Sequence, residues 1–348
     1  MDRNRNERLA NYDFMRVMMS LFVIGAHTPF PGYISNSKLL DNLLFAFLAQ
    51  CNGVFFMISG KFNLCKSFDC KKDYIRYYVN KFISILVPYG IVSCILVLLE
   101  LILSKQYFNL NGYIYQCIEA FFSTNARTHL WFVSFLIGIL VSAPFLAKMV
   151  TAMKDEELKI LFTVGIVWNI ISIYLTLDLG FDFLIGGWFL WEWLFIFFLG
   201  YFCDRIINDK NEKKIYCLGI IGFILSVLGM TYLKTFQYAT DLSVGYIFFI
   251  MSCYLFLQRH LFDKKHLSPS LTKAVSYMAK YSFTAYMIHS FIIIHITGKW
   301  IDSNEGMIQY ILLVLASFAC SYIISILLSN IIIKPIQKIL SKVLKGLM

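Results

Sequence analysis

The chain of 348 residues is 59% hydrophobic and 15% charged, with a mean hydropathy of +0.67. Soluble domains average about 45–50% apolar and about 25% charged residues, so this composition excludes an ordinary water-soluble globule. The net charge of +10 is not gathered on a folded basic domain, which argues against a nucleic-acid partner and for contact with anionic lipid.

Apolar runs recur from end to end, each long enough to cross about 30 Å of hydrocarbon as a helix. The reading is an all-α polytopic membrane protein of ten spans, forming a single domain over 1–348. The spans are placed at about 11–28, 41–62, 82–104, 129–148, 158–178, 186–203, 214–233, 243–258, 279–298 and 308–333. Of 31 basic residues, only Lys38, Lys105, Arg127, Lys234 and Lys299 fall in the odd-numbered connections. That asymmetry predicts cytoplasmic N- and C-termini in the plasma membrane. The polar N-terminal tail and the lack of an A-x-A-like site argue against a cleaved signal.

The first span, NYDFMRVMMSLFVIGAHT, carries Asp13, Arg16 and His27. At about 100° per residue these three lie within about 60° of one another on one helix face, with His27 about 16 Å beyond Arg16. Ionisable groups at membrane depth mark ion or substrate paths by default. A snorkelling Arg, a capping Asp and a satisfied His form the bland alternative.

The second span, LLFAFLAQCNGVFFMISGKF, holds Gln50 and Asn52 at mid-membrane. These amides suit a polar cavity, while its glycines suit close helix packing. The loop KSFDCKKDYIRYYVNKF interleaves base with aromatic, and its Arg76 and Lys81 suit phosphate binding or a solvated face. On the outer side, Glu119, His129 and Trp131 precede or open span four. Span six, GGWFLWEWLFIFFLG, sets Glu192 between Trp191 and Trp193, about six residues inside the expected helix. An aromatic belt accounts for the tryptophans but not for the carboxylate. Span nine offers His289 and His295, six residues apart and so on opposite faces; His289 follows the more polar stretch. The nine cysteines are scattered singly without zinc-site spacing, and no metal is expected.

R-x10-H from Arg16 to His27 resembles the signature of the acyltransferase family 3 membrane proteins. FFMISG, HLWFVSFLIGILVSAPFL and YSFTAYMIH resemble further segments of that family, in order, across essentially the whole chain. The resemblance implies ten spans and transfer of an acyl group, usually acetyl, from cytoplasmic acyl-CoA (acetyl-CoA) to a cell-envelope glycan. It also implies that His27 is the essential catalytic group and that Arg16 serves the donor. One departure is visible. The family often has R-x-x-R before a proline at the third span, whereas NKFISILVPY offers Lys81 and Ser84, so the second arginine is missing.

The expected reading is therefore a membrane O-acyltransferase whose acceptor is an extracytoplasmic polysaccharide or a lipid-linked sugar. His27 and Glu192 are the catalytic candidates. Arg16, Asp13, Arg76 and Lys81 are assigned to the donor, and His129, Trp131, Asn52 and Glu119 to the acceptor. His27 serves either as general base or as acyl carrier. A transporter or flippase without acyl chemistry is the alternative.

Overall fold

In the computed structural model, residues 2–28, 38–105, 109–122, 130–173, 192–232, 244–260 and 268–347 are described. Among these the chain is helical, with no strand. The helices are α1 (Asp2–His27), α2 (Lys38–Leu64), α3 (Lys71–Lys81), α4 (Val87–Leu103), α5 (Leu110–Phe122), α6 (Trp131–Ala152) and α7 (Asp155–Ile173). They continue with α8 (Glu192–Ile206), α9 (Asp209–Tyr232), α10 (Val244–Arg259), α11 (Pro269–Ala279), α12 (Ser282–His295), α13 (Met307–Leu328) and α14 (Lys334–Val343).

Local chemistry sets several of these ends. Asp73 accepts the backbone N–H groups of Asp69 and Cys70, both at 3.1 Å, and so opens α3 with a capping carboxylate. Ser268 accepts the Leu271 N–H at 3.2 Å, with Pro269 behind it at the first helical position of α11.

Among the described residues, five helical stretches are long and apolar enough to cross a membrane: Lys38–Leu64, Lys71–Leu103, Trp131–Ala152, Asp209–Tyr232 and Met307–Val343. The protein is thus of membrane type. The other expected spans fall on shorter or more charged helices. Helices α8, α10 and α12 have 15, 16 and 14 residues, and α7 opens with Asp155, Glu156 and Glu157.

Two stretches bend from α to π geometry, at Phe82–Leu86 and at Ser329–Ile333. Each is followed two residues later by a proline, Pro88 and Pro335. Proline removes the amide that would bond the carbonyl four residues back, and its ring presses on that carbonyl. Widening of the turn just before it relieves both.

Helix α2 is central. It packs on α1, α6, α8, α9 and α10, and its crossing with α8 depends on absent side chains. A Cβ on Gly60 would overlap the Phe197 carbonyl, and one on Gly200 would overlap the Met57 carbonyl. These glycines let two backbones touch, as the sequence predicts for small residues in span two. At one end of this crossing Lys61 pairs with Asp204. Gln258 Nε2 donates to Asp204 Oδ1 at 2.6 Å and to the Tyr12 hydroxyl at 2.8 Å. This network ties α1, α2, α8 and α10 together and compensates a buried charge that would otherwise be costly.

Candidate functional site

Helix α1 carries the site at its middle and at its C-terminal end. Arg16 Nη1 donates to Asp13 Oδ1 at 3.0 Å, across one helical turn. Its guanidinium also lies 5.5 Å from the centre of the Phe62 ring. Both contacts orient the planar fork toward a cavity of about 430 Å³. Ser59, Asn63, Lys81, Ser84 and Ser282 supply polar groups to its wall, and Phe55, Phe62, Phe132, Phe283 and Tyr286 supply aromatic area. Lys81 and Ser84, the pair standing where the family often has two arginines, thus share one cavity with Arg16.

A third cation, Lys66, lies near Lys81. The ammonium groups of Lys66 and Lys81 lie 5.1 and 5.4 Å from the Tyr77 ring centre, and Lys81 feels the charges of both Lys66 and Arg16. Among the described residues neither lysine has a carboxylate within ion-pairing distance. Three positive groups gathered with one carboxylate form an anion-attracting mouth. Lys66 is invisible as a site residue in sequence, because only the fold of the 65–70 loop returns it to α3. Arg76, expected at this site, is exposed on α3, close to Asp73, and does not line the cavity. Helix phase explains this: Arg76 lies one residue, about 100°, from Tyr77 and so faces away from the lysines.

The other end of α1 brings two histidines together. His27 is the last residue of the helix and stands at its exposed end. Its Nδ1–H donates to the Val23 carbonyl at 2.9 Å, which leaves Nε2 of the neutral ring as the lone-pair nitrogen. The His289 ring meets it edge to face at 4.9 Å between centroids. His289 is fully buried, and its Nδ1–H donates to the Tyr286 carbonyl. Tyr286 lies 5.5 Å from His289 and lines the Arg16 cavity. Ser282, Tyr286 and His289, at steps of four and three, therefore mark one face of α12 from the cavity to His27. The sequence singles out His289 over His295 but does not reveal this pairing. His295 packs instead on Phe291, at 4.7 Å.

An aromatic wall continues from there. Phe132 contacts Tyr286 at 5.3 Å and Phe56 at 4.6 Å. Phe56 stacks on Trp193 at 5.1 Å, and Trp193 meets Trp131 at 5.0 Å. Trp131 thus ends this run of ring contacts.

Glu192 departs from its expected place. Among the described residues it opens α8, and its φ of +48° is left-handed rather than that of a helix interior. A non-glycine residue in that region costs energy and needs support. Asn169 supplies it: its Oδ1 accepts the Glu192 N–H at 3.0 Å, while its Nδ2 donates to the Gly165 carbonyl at 2.7 Å. Among the described residues no hydrogen bond or ion pair joins Glu192 to His27. Asn52 and Gln50 are buried in α2 and do not line the Arg16 cavity. Gln50 Nε2 turns back to the Phe47 carbonyl at 3.0 Å, because a mid-membrane amide takes the nearest acceptor. Glu119 is exposed on α5, whose buried side packs on α4. His129, like Trp188 and Trp191, lies outside the described residues. Among the described residues no cluster of His, Cys, Asp or Glu suits a metal ion.

These features define a helical membrane protein with a cationic cavity beside the middle of its first helix and a histidine pair at that helix's C-terminal end. The chain belongs to the acyltransferase 3 family: the family model, an acyltransferase domain, matches residues 9–328, nearly its whole length. Neither a curated protein nor a solved structure matches the chain.

Proposed function

We propose that the protein is an O-acetyltransferase that moves an acetyl group from cytoplasmic acetyl-CoA to a hydroxyl of an extracytoplasmic polysaccharide or its lipid-linked precursor. The observation that carries this reading is the division of labour along α1: phosphate-seeking cations around Arg16 at mid-helix, and the His27–His289 pair at its C-terminal end. Arg16, Lys81 and Lys66 attract the phosphates of the donor, with Asp13 holding the Arg16 fork. The cavity, with both aromatic and polar walls, suits the pantetheine arm, whose thioester is directed along the Ser282, Tyr286, His289 face.

His27 Nε2 takes the proton of the acceptor hydroxyl as that oxygen attacks the thioester carbonyl. The carbon–sulfur bond breaks, and the departing thiolate recovers the proton from the imidazolium. His289 fixes the His27 ring, and Trp131 with the neighbouring aromatics offers stacking area to a sugar. The ten-span arrangement with both termini in the cytoplasm belongs to the same proposal.

Purified protein in nanodiscs, given acetyl-CoA labelled in the acetyl group and an envelope glycan fraction, should transfer label to the glycan. Label that stays on acetyl-CoA, together with uptake of a solute by proteoliposomes, would favour a transporter. Replacing Arg16 by Lys should raise the apparent KM for acetyl-CoA about tenfold, because an ammonium loses the bidentate grip worth about 1.5–3 kcal/mol, with kcat little changed. An unchanged KM would remove Arg16 from donor binding.

The orientation is tested separately. With native thiols blocked, a cysteine at position 38 should react with an impermeant maleimide from outside, and one at position 72 only after permeabilisation. The reverse pattern would invert the assignment of donor and acceptor sides.

A further inference from the structure

Helix α14 divides into three sectors. At about 100° per residue, Gln337, Leu340 and Ser341 share one side, and all three are partly covered. This is the docked side: Gln337 Nε2 donates to the Ile83 carbonyl at 2.8 Å, in the π turn whose Ser84 and Ile85 line the Arg16 cavity. Lys334, Lys338 and Lys342, spaced by four, form a second sector and are all exposed. Ile339 and Val343 form a third, beside the lysines, and are 62% and 71% exposed.

No single solvent satisfies such an outward surface. Water suits the lysines and penalises Ile339 and Val343, whereas hydrocarbon does the opposite. A boundary between the two suits both, with lysine stems lying on the apolar side and ammonium groups among charged headgroups. Helix length places the boundary there independently. Met307–Val343 runs 37 residues without a break, about 55 Å, against about 30 Å of hydrocarbon. Its last turns therefore lie beyond the core, and the π turn with Pro335 supplies the site of a bend.

We infer that α14 is an interfacial helix that docks on an anionic lipid surface through Lys338, Lys342, Ile339 and Val343, and that it holds the π turn beside the cavity mouth through Gln337. The occupant is a bilayer rather than a soluble phosphate, because a free anion leaves Ile339 and Val343 in water. This inference is independent of the acyl-transfer reading.

Full-length protein is placed in nanodiscs of phosphatidylcholine alone, or of phosphatidylcholine with an equal amount of phosphatidylglycerol, and amide exchange is followed over 336–344. Exchange there should be at least about tenfold slower with phosphatidylglycerol, the effect of a few lysines near an anionic surface. Residues 213–228 of α9 should not change. Lys338→Gln with Lys342→Gln should remove the difference, and Ile339→Ser with Val343→Ser should speed exchange in both lipids. Equal exchange in the two lipids, or a difference that survives the lysine changes, would overturn the inference. So would protection that follows protein concentration instead of lipid charge, since a second copy would then cover this face.

Discussion

Replacing His27 by Gln should lower kcat by about 10²–10⁴, the range supplied by a positioned general base. Gln keeps a polar group of similar reach at the end of α1 but cannot take and return a proton. The His27 side chain is exposed and its one described hydrogen bond runs to Val23 in its own helix, so folding and membrane insertion should be unaffected. Acetyl-CoA binding should persist, because Arg16 lies three turns away. His289 separates ring positioning from proton transfer. His289→Phe keeps an edge against His27 and should cost far less than His27→Gln, whereas His289→Ala frees the ring and should cost more than His289→Phe. His295 packs on Phe291 instead, and His295→Ala should be close to neutral. Transfer assayed with labelled acetyl-CoA decides among these outcomes. Substantial activity in His27→Gln would make the histidine structural and remove it from the chemistry.

The largest expected effect on stability lies at the α2–α8 crossing. Gly60→Val should fail to yield monodisperse protein, and Gly60→Ala should melt well below the parent, as followed by size-exclusion chromatography after heating in detergent. The added Cβ would overlap a backbone carbonyl of α8, which cannot swing aside as a side chain does. Overpacking costs about 1–3 kcal/mol and occasionally more. Gly138 in α6 is the matched control: a Cβ there meets nothing within 4 Å. Gly138→Ala should leave the melt unchanged or raise it slightly, since helical Gly costs about 0.5–1 kcal/mol relative to Ala. If Gly60→Ala and Gly138→Ala melt alike, the close crossing is wrong.

What the sequence reveals of this site follows from the range of each interaction. Asp13, Arg16 and His27 lie on one helix, where a fixed period converts spacing into a shared face, and the Arg16–Asp13 pair appears as expected. Small residues in span two pack as their size implies. The His27–His289 pairing joins positions far apart in the chain, so periodicity carries no trace of it. Arg76 and Lys66 exchange importance because the loop conformation and the phase of α3 decide which cation reaches Tyr77. Glu192 reads as mid-helix because the run GGWFLWEWLFIFFLG is apolar throughout, and nothing in its composition announces a left-handed residue held by Asn169. Basic residues near the ends of spans remain visible in sequence as an orientation signal, but which of them gather at a cavity is a tertiary fact.

The π turn between Lys81 and Pro88 makes the site tolerant of chain length at one place. A π turn closes its hydrogen bonds over one residue more than an α turn does. Deleting one residue from Phe82–Leu86 would convert it to an α turn and nearly keep the phase of α3 relative to Pro88, because the surplus residue is already absorbed within a single turn. The same deletion inside regular α3, at Val79, would rotate Tyr77 by about 100° relative to Lys81 and separate the ring from the ammonium that faces it. The wide turn thus works as a length buffer: the connection between α3 and α4 can lose a residue there while Lys81 keeps its bearing on Arg16.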